Sequence, residues 1–421
     1  MKSFLNNSNN IERDSYIWNM AGSMIMAFQS VILLIILTRV VDIVTAGVFT
    51  IANANANLFL NIGRFGMRNY QVSDVRREYN FAEYRNSRVA STILMFVCFA
   101  AYIAYAAISN GYSAEKTWII FWMCMFKLPD AFEDVYYGEY QRNGRLDIAS
   151  KAMTIRVTVT IIFFAGAVIV TKDLLWSMIA STIFTVILMV YLLVVTADTV
   201  KDREKTKAGA LKKLLVACFP VFASSFLAYY IGNAPKYAID SQLSDELQAI
   251  YGFLSMPVFV IGLLNNFIFN PILFSVSCLW QDGKLKEFKR AIVRQTLIVG
   301  DITVVCIAGA FVLGIPVLSI LYNTDLTDYK AELLLLLVGG GLLGASGVYT
   351  VILTIMRQQN ALMIGYLIVA AMAMIFSGRV VASWGMMGAV WLYNGLMLFL
   401  CLIFVLMMWG YMKKAPRMKE G

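Results

Sequence analysis

The sequence predicts an all-α polytopic membrane protein of about 12 transmembrane helices, arranged as two lobes of about six helices around a central cavity. Composition is the first reason: of 421 residues, 60% are apolar and 14% charged, against roughly one half and one quarter in soluble domains. The second is that the apolar residues fall in runs of about 20, the length that crosses a bilayer as a helix. The third is that most of the 35 Lys and Arg sit in alternate links between those runs, the positive-inside pattern.

Residues 1–17 are polar, and the run after them is too long for a signal-peptide core and lacks a small-residue cleavage site, so 18–40 reads as an uncleaved first span. The second span, 45–63, is interrupted by Asn residues, and the third covers 89–109. The fourth, 117–136, holds the most unusual sequence, WIIFWMCMFKLPDAFEDVYY. Spans five and six, 152–171 and 174–196, complete a first lobe, 1–198. The basic cytoplasmic linker 199–213, containing KDREKTKAGALKK, separates it from a second lobe, 214–421. There the spans fall at 214–232, 249–272, 293–315, 331–355, 362–378 and 385–411. The outside links 232–248 and 316–330 should form turns or a short interfacial helix. An even number of helices per lobe gives both the same orientation, related by a pseudo-axis along the membrane normal.

With the N-terminus inside, only Lys116, Lys172, Lys236, Lys330 and Arg379 fall in outside links, and Arg39, Lys127 and Arg156 fall within spans. The basic groups 64–88, 201–213 and 284–294 lie in short inside loops, where the charge rule applies, so both termini should be cytoplasmic. These positions explain the net charge of +9 without nucleic acid and suit contact with anionic membrane lipids. The absence of His removes imidazole bases and His metal ligands, and the six Cys show no metal-binding spacing. No Walker loop, dinucleotide motif or HExxH helix is present, and the outside links leave no room for a catalytic domain. A non-enzymatic protein without cofactor or metal is expected.

Polar groups inside spans mark either packing hydrogen bonds or a transport pathway. Asn53, Asn55 and Asn57 are spaced by two and cannot share one narrow helical stripe; with Asn61 they make the second span polar on more than one side. Lys127 is about ten residues from either end of its span, beyond comfortable snorkelling. Lys127, Asp130 and Asp134 share a face, with Glu133 pointing elsewhere, and Pro129 should bend the helix beside them. That face reads either as an ion pair or as the wall of an aqueous cavity. Arg156 either snorkels or joins the cavity, and Arg39 beside Asp42 reads as an outside latch or an interfacial pair. Asp301, a lone acid in IVGDITVV, is a candidate for coupling to H⁺ or Na⁺, with a buried packing hydrogen bond as the alternative. The glycines of VGGGLLGASG permit close helix packing or a hinge, and Pro220, Pro257 and Pro271 allow further bends. Tyr136, Tyr137, Tyr140, Tyr229 and Tyr230 suit an aromatic belt or a stacking surface for sugars.

Three stretches carry a family resemblance over nearly the full length: ILTRVVDIVTAGVFTIANANANLFLNIGRFGMRNY, with Arg39, Gly47 and Arg68; YYGEYQRNGRLDIASKAMTIRV; and NPILFSVSCLWQDGKLKEF. In these the chain resembles bacterial O-antigen or capsule-unit flippases of the multidrug/oligosaccharidyl-lipid/polysaccharide exporter superfamily. The resemblance implies a bacterial cytoplasmic-membrane protein that moves an undecaprenyl-diphosphate-linked oligosaccharide outward by alternating access. Polysaccharide polymerase and assembly proteins would be its partners. Arg39, Asn53, Asn57, Asn61, Lys127, Asp130, Asp134 and Arg156 are the candidate cavity residues. An ion-coupled multidrug exporter of the same superfamily is the alternative, with a major facilitator or a membrane polysaccharide polymerase or ligase behind it.

Overall fold

The computed structural model describes residues 1–74, 76–197, 200, 206–207, 209–269 and 272–418, and among them there are helices and turns but no strand. The chain divides into two compact units, Met1–Phe226 and Leu227–Gly421.

In the first unit, α1 (Lys2–Asn6) precedes α2 (Ile11–Val40), which starts where the Asn10 side chain accepts the Arg13 amide at 3.0 Å. Asp42 caps α3 (Ile43–Arg64) in the same way, accepting the Thr45 amide at 2.7 Å. The end of α3 is set by Phe65 and Gly66, both left-handed at φ 50° and 63°, which turn the chain into α4 (Met67–Ser73). Asn80 and Glu83 form a reciprocal capping box that opens α5 (Phe81–Ser109), so this helix begins a full two turns before the span read from hydropathy. The fourth span consists of α6 (Ala114–Phe126) and α7 (Leu128–Arg142), which meet at Lys127. Pro129 lies in the first turn of α7, where its missing N–H forfeits no helical bond. α8 (Leu146–Thr171) and α9 (Leu174–Thr196) follow, with α2 packed along α8 and α3 along α6. At Gly22 a Cβ would lie 2.5 Å from Thr154 Oγ1, so glycine is what lets α2 approach α8.

α10 (Ala210–Gln242) belongs to both units. Its first half supplies Ala210, Leu214 and Cys218 to a buried cluster with Phe65, Met67, Tyr79, Phe81, Tyr84 and Val135, and Phe222 stacks on Phe65 at 4.2 Å. That packing moves the division into α10, later in the chain than the basic link 199–213 proposed as the lobe boundary. Residues 199, 201–205 and 208 of that link lie outside the described residues.

The second unit continues with α11 (Asp245–Leu254) and α12 (Met256–Phe269), separated at Ser255, then α13 (Leu273–Gln281). α14 (Leu285–Gly309) passes through a π-helical turn, Ala310–Gly314, into α15 (Ile315–Tyr322). α16 (Lys330–Ile355) is unbroken, and α17 (Gln359–Met418) kinks at Gly385, whose φ of 58° and ψ of −138° are not helical. Among the described residues 9 helical segments are long and apolar enough to cross a membrane. The broken pairs α6/α7 and α11/α12 each add a crossing, and Gly385 divides α17 in two, giving the 12 spans of a polytopic membrane protein.

One local expectation changes, and the close-packing alternative gains support at another. The outside link expected at 232–248 is mostly helix, because α10 runs to Gln242 and α11 starts at Asp245. Hydropathy falls there at Asn233, Lys236 and Asp240, and the stretch holds Gly232 and Pro235, yet α10 continues through them, so Lys236 lies within α10. Three glycines of α16 serve packing: a Cβ on Gly339 would sit 2.5 Å from Tyr393, one on Gly341 2.5 Å from Thr303, and one on Gly340 3.0 Å from Val258. The helix is continuous through them. Pro271 lies outside the described residues.

Candidate functional site

In the first unit a cavity of about 450 Å³ is lined from α2 by Asn19 and Ser23, from α3 by Asn61 and Arg64, and from the following turn and α4 by Gly66, Met67, Arg68 and Asn69. α7 contributes Asp130, Glu133, Asp134 and Tyr137, and Met26, Ala27, Met153 and Ser225 complete the wall. The break at Lys127 puts the carboxylates on the first turns of α7, where the positive end of the helix dipole favours them.

Each carboxylate is held by a cation. Asp130 accepts from Lys127 Nζ at 3.2 Å and from Arg156, and Lys127 also donates to Gln29 Oε1 at 3.0 Å. Arg156 donates to Glu133 Oε1 at 2.6 Å and to Thr185 Oγ1 at 3.1 Å, while the Tyr137 hydroxyl donates to Glu133 Oε2 at 2.9 Å. Asp134 accepts from Arg88 at 2.7 Å and lies 3.5 Å from Arg68, which also donates to Gln141 at 3.1 Å. Arg88 is 0% exposed and donates 2.6 Å to the Gly63 carbonyl, at the negative end of α3.

Arg64 differs from these. Among the described residues it makes no hydrogen bond and no carboxylate lies within ion-pair distance; its Nε is buried without a partner. The cavity wall therefore carries one cation with no ion-pair partner among the described residues, although its charge acts on nearby Asp130.

The asparagines divide by face. Asn57 Nδ2 donates to the Asn53 carbonyl and side chain at 2.8 and 2.9 Å, and Asn61 Nδ2 donates to the Asn57 carbonyl at 2.8 Å. Four-residue spacing thus makes Asn53, Asn57 and Asn61 one polar stripe, of which Asn61 reaches the cavity. Asn55 lies off it, 1% exposed, with neither amide atom hydrogen-bonded.

Among the other expected site residues, Asp130 and Asp134 line the cavity. Lys127 and Arg156 stand behind the wall, 6% and 2% exposed, so Arg156 does not snorkel. Glu133, expected to point elsewhere, lines the same cavity. It is three residues from Asp130, about 60° around the helix, and Arg156 clamps both. Arg39 is exposed at the far end of α2, and its neighbour Asp42 is used as the cap of α3. Asp301 is exposed on α14 rather than buried, sharing its face with exposed Val304 and Val305, and makes no hydrogen bond among the described residues. Tyr137 and Tyr140 are buried and hydrogen-bonded, Tyr140 to Thr196 at 2.7 Å, so they are interior groups rather than belt residues.

Sequence reasoning assigned Arg64, Arg68 and Arg88 to a basic inside loop. The signal that could have corrected this is NFAE at residues 80–83, a capping-box pattern that starts α5 early and carries Arg88 into the fold.

No family model matches the chain. Over 319 residues it is 23% identical to the capsular polysaccharide biosynthesis protein CapF of Staphylococcus aureus, covering 74% of this chain and 78% of that protein. The MATE multidrug transporter DinF-BH, solved as a complex, superposes with a TM-score of 0.67 at 15% identity, covering 94% of each chain. The chain has the MATE transporter fold. An inward-facing multidrug resistance MATE transporter of the MOP superfamily gives 0.61 at 13% identity, over 93% of this chain and 96% of that one. A MOP superfamily transporter from Pyrococcus furiosus, described by a reversed polarity of its binding pocket, gives 0.59 at 13% identity, over 99% and 98%. MATE-fold architecture thus extends along almost the whole chain.

Proposed function

We propose that this MATE-fold protein exports a lipid-linked oligosaccharide with an anionic diphosphate head, of the undecaprenyl-diphosphate class, across a bacterial cytoplasmic membrane by alternating access. The observation that carries this reading is Arg64, which has no ion-pair contact among the described residues, in a cavity whose three acids are all in contact with Lys127, Arg156, Arg88 or Arg68. A partly buried guanidinium without a counter-ion is costly, and a diphosphate supplies both the charge and the paired acceptor oxygens that a guanidinium prefers. Asn19, Ser23, Asn61 and Asn69 would replace water around sugar hydroxyls, and the lipid tail would stay in the bilayer. Likeness to CapF, a capsular polysaccharide biosynthesis protein, supports the same cargo class. The product would pass to polysaccharide polymerase and assembly proteins outside, and an H⁺ or Na⁺ gradient coupled through Asp301 would drive the cycle.

The test is reconstitution with a fluorescent lipid-linked oligosaccharide and measurement of head-group accessibility on both leaflets. Arg64→Ala should lower transfer about 10- to 100-fold, the worth of a hydrogen bond to a charged group, at unchanged folded yield, with Arg64→Lys retaining part of it. Export of cationic drugs is the second reading, favoured by the acids in the wall and by the likeness to the multidrug transporter DinF-BH. Under that reading Arg64→Ala would leave drug efflux intact and Glu133→Gln would abolish it.

A further inference from the structure

A second cavity, of about 370 Å³, lies in the second unit between α14, α16 and the end of α17. On α14 its wall is Lys289, Ile292, Val293, Thr296 and Leu297, a spacing of three and four that keeps all of them on one helix face. The last turns of α17 face them with Val405, Met408, Trp409 and Met412 at the same spacing, and Tyr349 of α16 forms the floor, accepting from Thr296 at 3.4 Å. Val293, Leu297 and Trp409 are more than half exposed, so the groove is open along its length.

The polarity of this groove runs one way. Beyond Lys289 its walls are apolar apart from Thr296 and the Tyr349 hydroxyl, over roughly 12 Å of α14, with exposed Arg294 outside the lining. All its charge is at one end, where Lys289 sits 5.9 Å from the Trp409 ring and Lys286, Arg290 and Lys413 are exposed on the flanking turns. Glu287 is the acid in that turn. The start of α14 and the end of α17 thus bring cations and an indole to one end of an open apolar slot, the arrangement that suits the boundary between headgroups and hydrocarbon.

We propose that this groove is a binding site for one anionic phospholipid, its phosphate at Lys289 and one acyl chain between α14 and α17. Charge complementarity selects the head: a zwitterionic lipid would gain the apolar walls but bring its own cation against Lys289, Lys286 and Arg290. The site is independent of the cargo cavity in the first unit, and it would tie activity of the exporter to the lipid composition around it.

The experiment uses the full-length protein in bilayer nanodiscs and reads quenching of tryptophan emission by brominated acyl chains, taking the Trp409 share as the difference between wild type and Trp409→Phe. Dibromo-phosphatidylglycerol in phosphatidylcholine should quench that share at roughly fivefold lower mole fraction than dibromo-phosphatidylcholine in phosphatidylglycerol, the preference expected for one cation near the head. Lys289→Gln should remove the preference while leaving quenching by the brominated phosphatidylcholine unchanged, and Lys289→Arg should keep it. Equal quenching by the two lipids, a Trp409 share quenched by neither, or a preference indifferent to Lys289→Gln would overturn the proposal. Displacement of the brominated phosphatidylglycerol by stoichiometric polyprenyl diphosphate would assign the groove to cargo and overturn it equally.

Discussion

Arg64 and Arg88 lie on one stretch of chain read from the sequence as a basic loop, and the fold gives them opposite tasks. Arg88 is wholly enclosed and spends its donors on Asp134 and the Gly63 carbonyl. Removing it would strand a carboxylate and the end of α3, so Arg88→Met is expected to destabilise the protein by about 3–5 kcal/mol, read as lost folded yield and a lower melting temperature in detergent. Arg64, with no such partner, is expected to show the reverse pattern, normal folding with lost transfer. Lys127 lies between these cases, since it holds Asp130 and Gln29 behind the wall. Lys127→Ala should lower both stability and transport, and Lys127→Arg should restore part of each. Asp301 is exposed and has no hydrogen bond among the described residues, so Asp301→Asn should fold normally. If it is the coupling group, the response of transport to imposed H⁺ and Na⁺ gradients will fall while head-group binding persists, and an unchanged response would move coupling elsewhere.

At the scale of elements, helix ends and close crossings decide where side chains arrive. The capping box at Asn80 and Glu83 and the left-handed pair Phe65 and Gly66 deliver Arg88 and Arg68 to Asp134. In α16 the contact is steric: Gly341 faces Thr303 of α14 and Gly339 faces Tyr393 of α17, each leaving no room for a methyl group. Gly341→Ala is therefore expected to cost about 1–3 kcal/mol, the range for overpacking a close crossing. Gly347→Ala, where nothing lies within 4 Å of the added carbon, should be neutral or slightly stabilising. Thermal unfolding of the two variants side by side checks the assignment of these glycines to packing, since a hinge role would slow transport in both without separating their stabilities.

For the whole molecule, an even number of spans requires both termini on one side of the membrane, and we propose from the Lys and Arg distribution that this side is the cytoplasm. Reporter tags at Ser3 and Glu420 should both be shielded from an impermeant reagent in intact cells and both react after permeabilisation. Reaction of one alone would require an odd number of crossings.

The sequence by itself determined the number and order of the spans, because the cost of placing polar backbone and charge in hydrocarbon acts on each segment separately and is written in composition. It also marked Asp130 and Asp134, and the helix break beside Pro129, since these are local features. Only the tertiary structure decided that Glu133 joins those acids under the Arg156 clamp, and that Arg64 alone among the cavity cations lacks an ion-pair contact with a carboxylate among the described residues. Each depends on residues far apart in the chain, such as Arg156 reaching α7 from α8 or Arg88 reaching it from α5. Pairing is set by how helices pack in three dimensions, and one-dimensional hydropathy and charge carry no term for it.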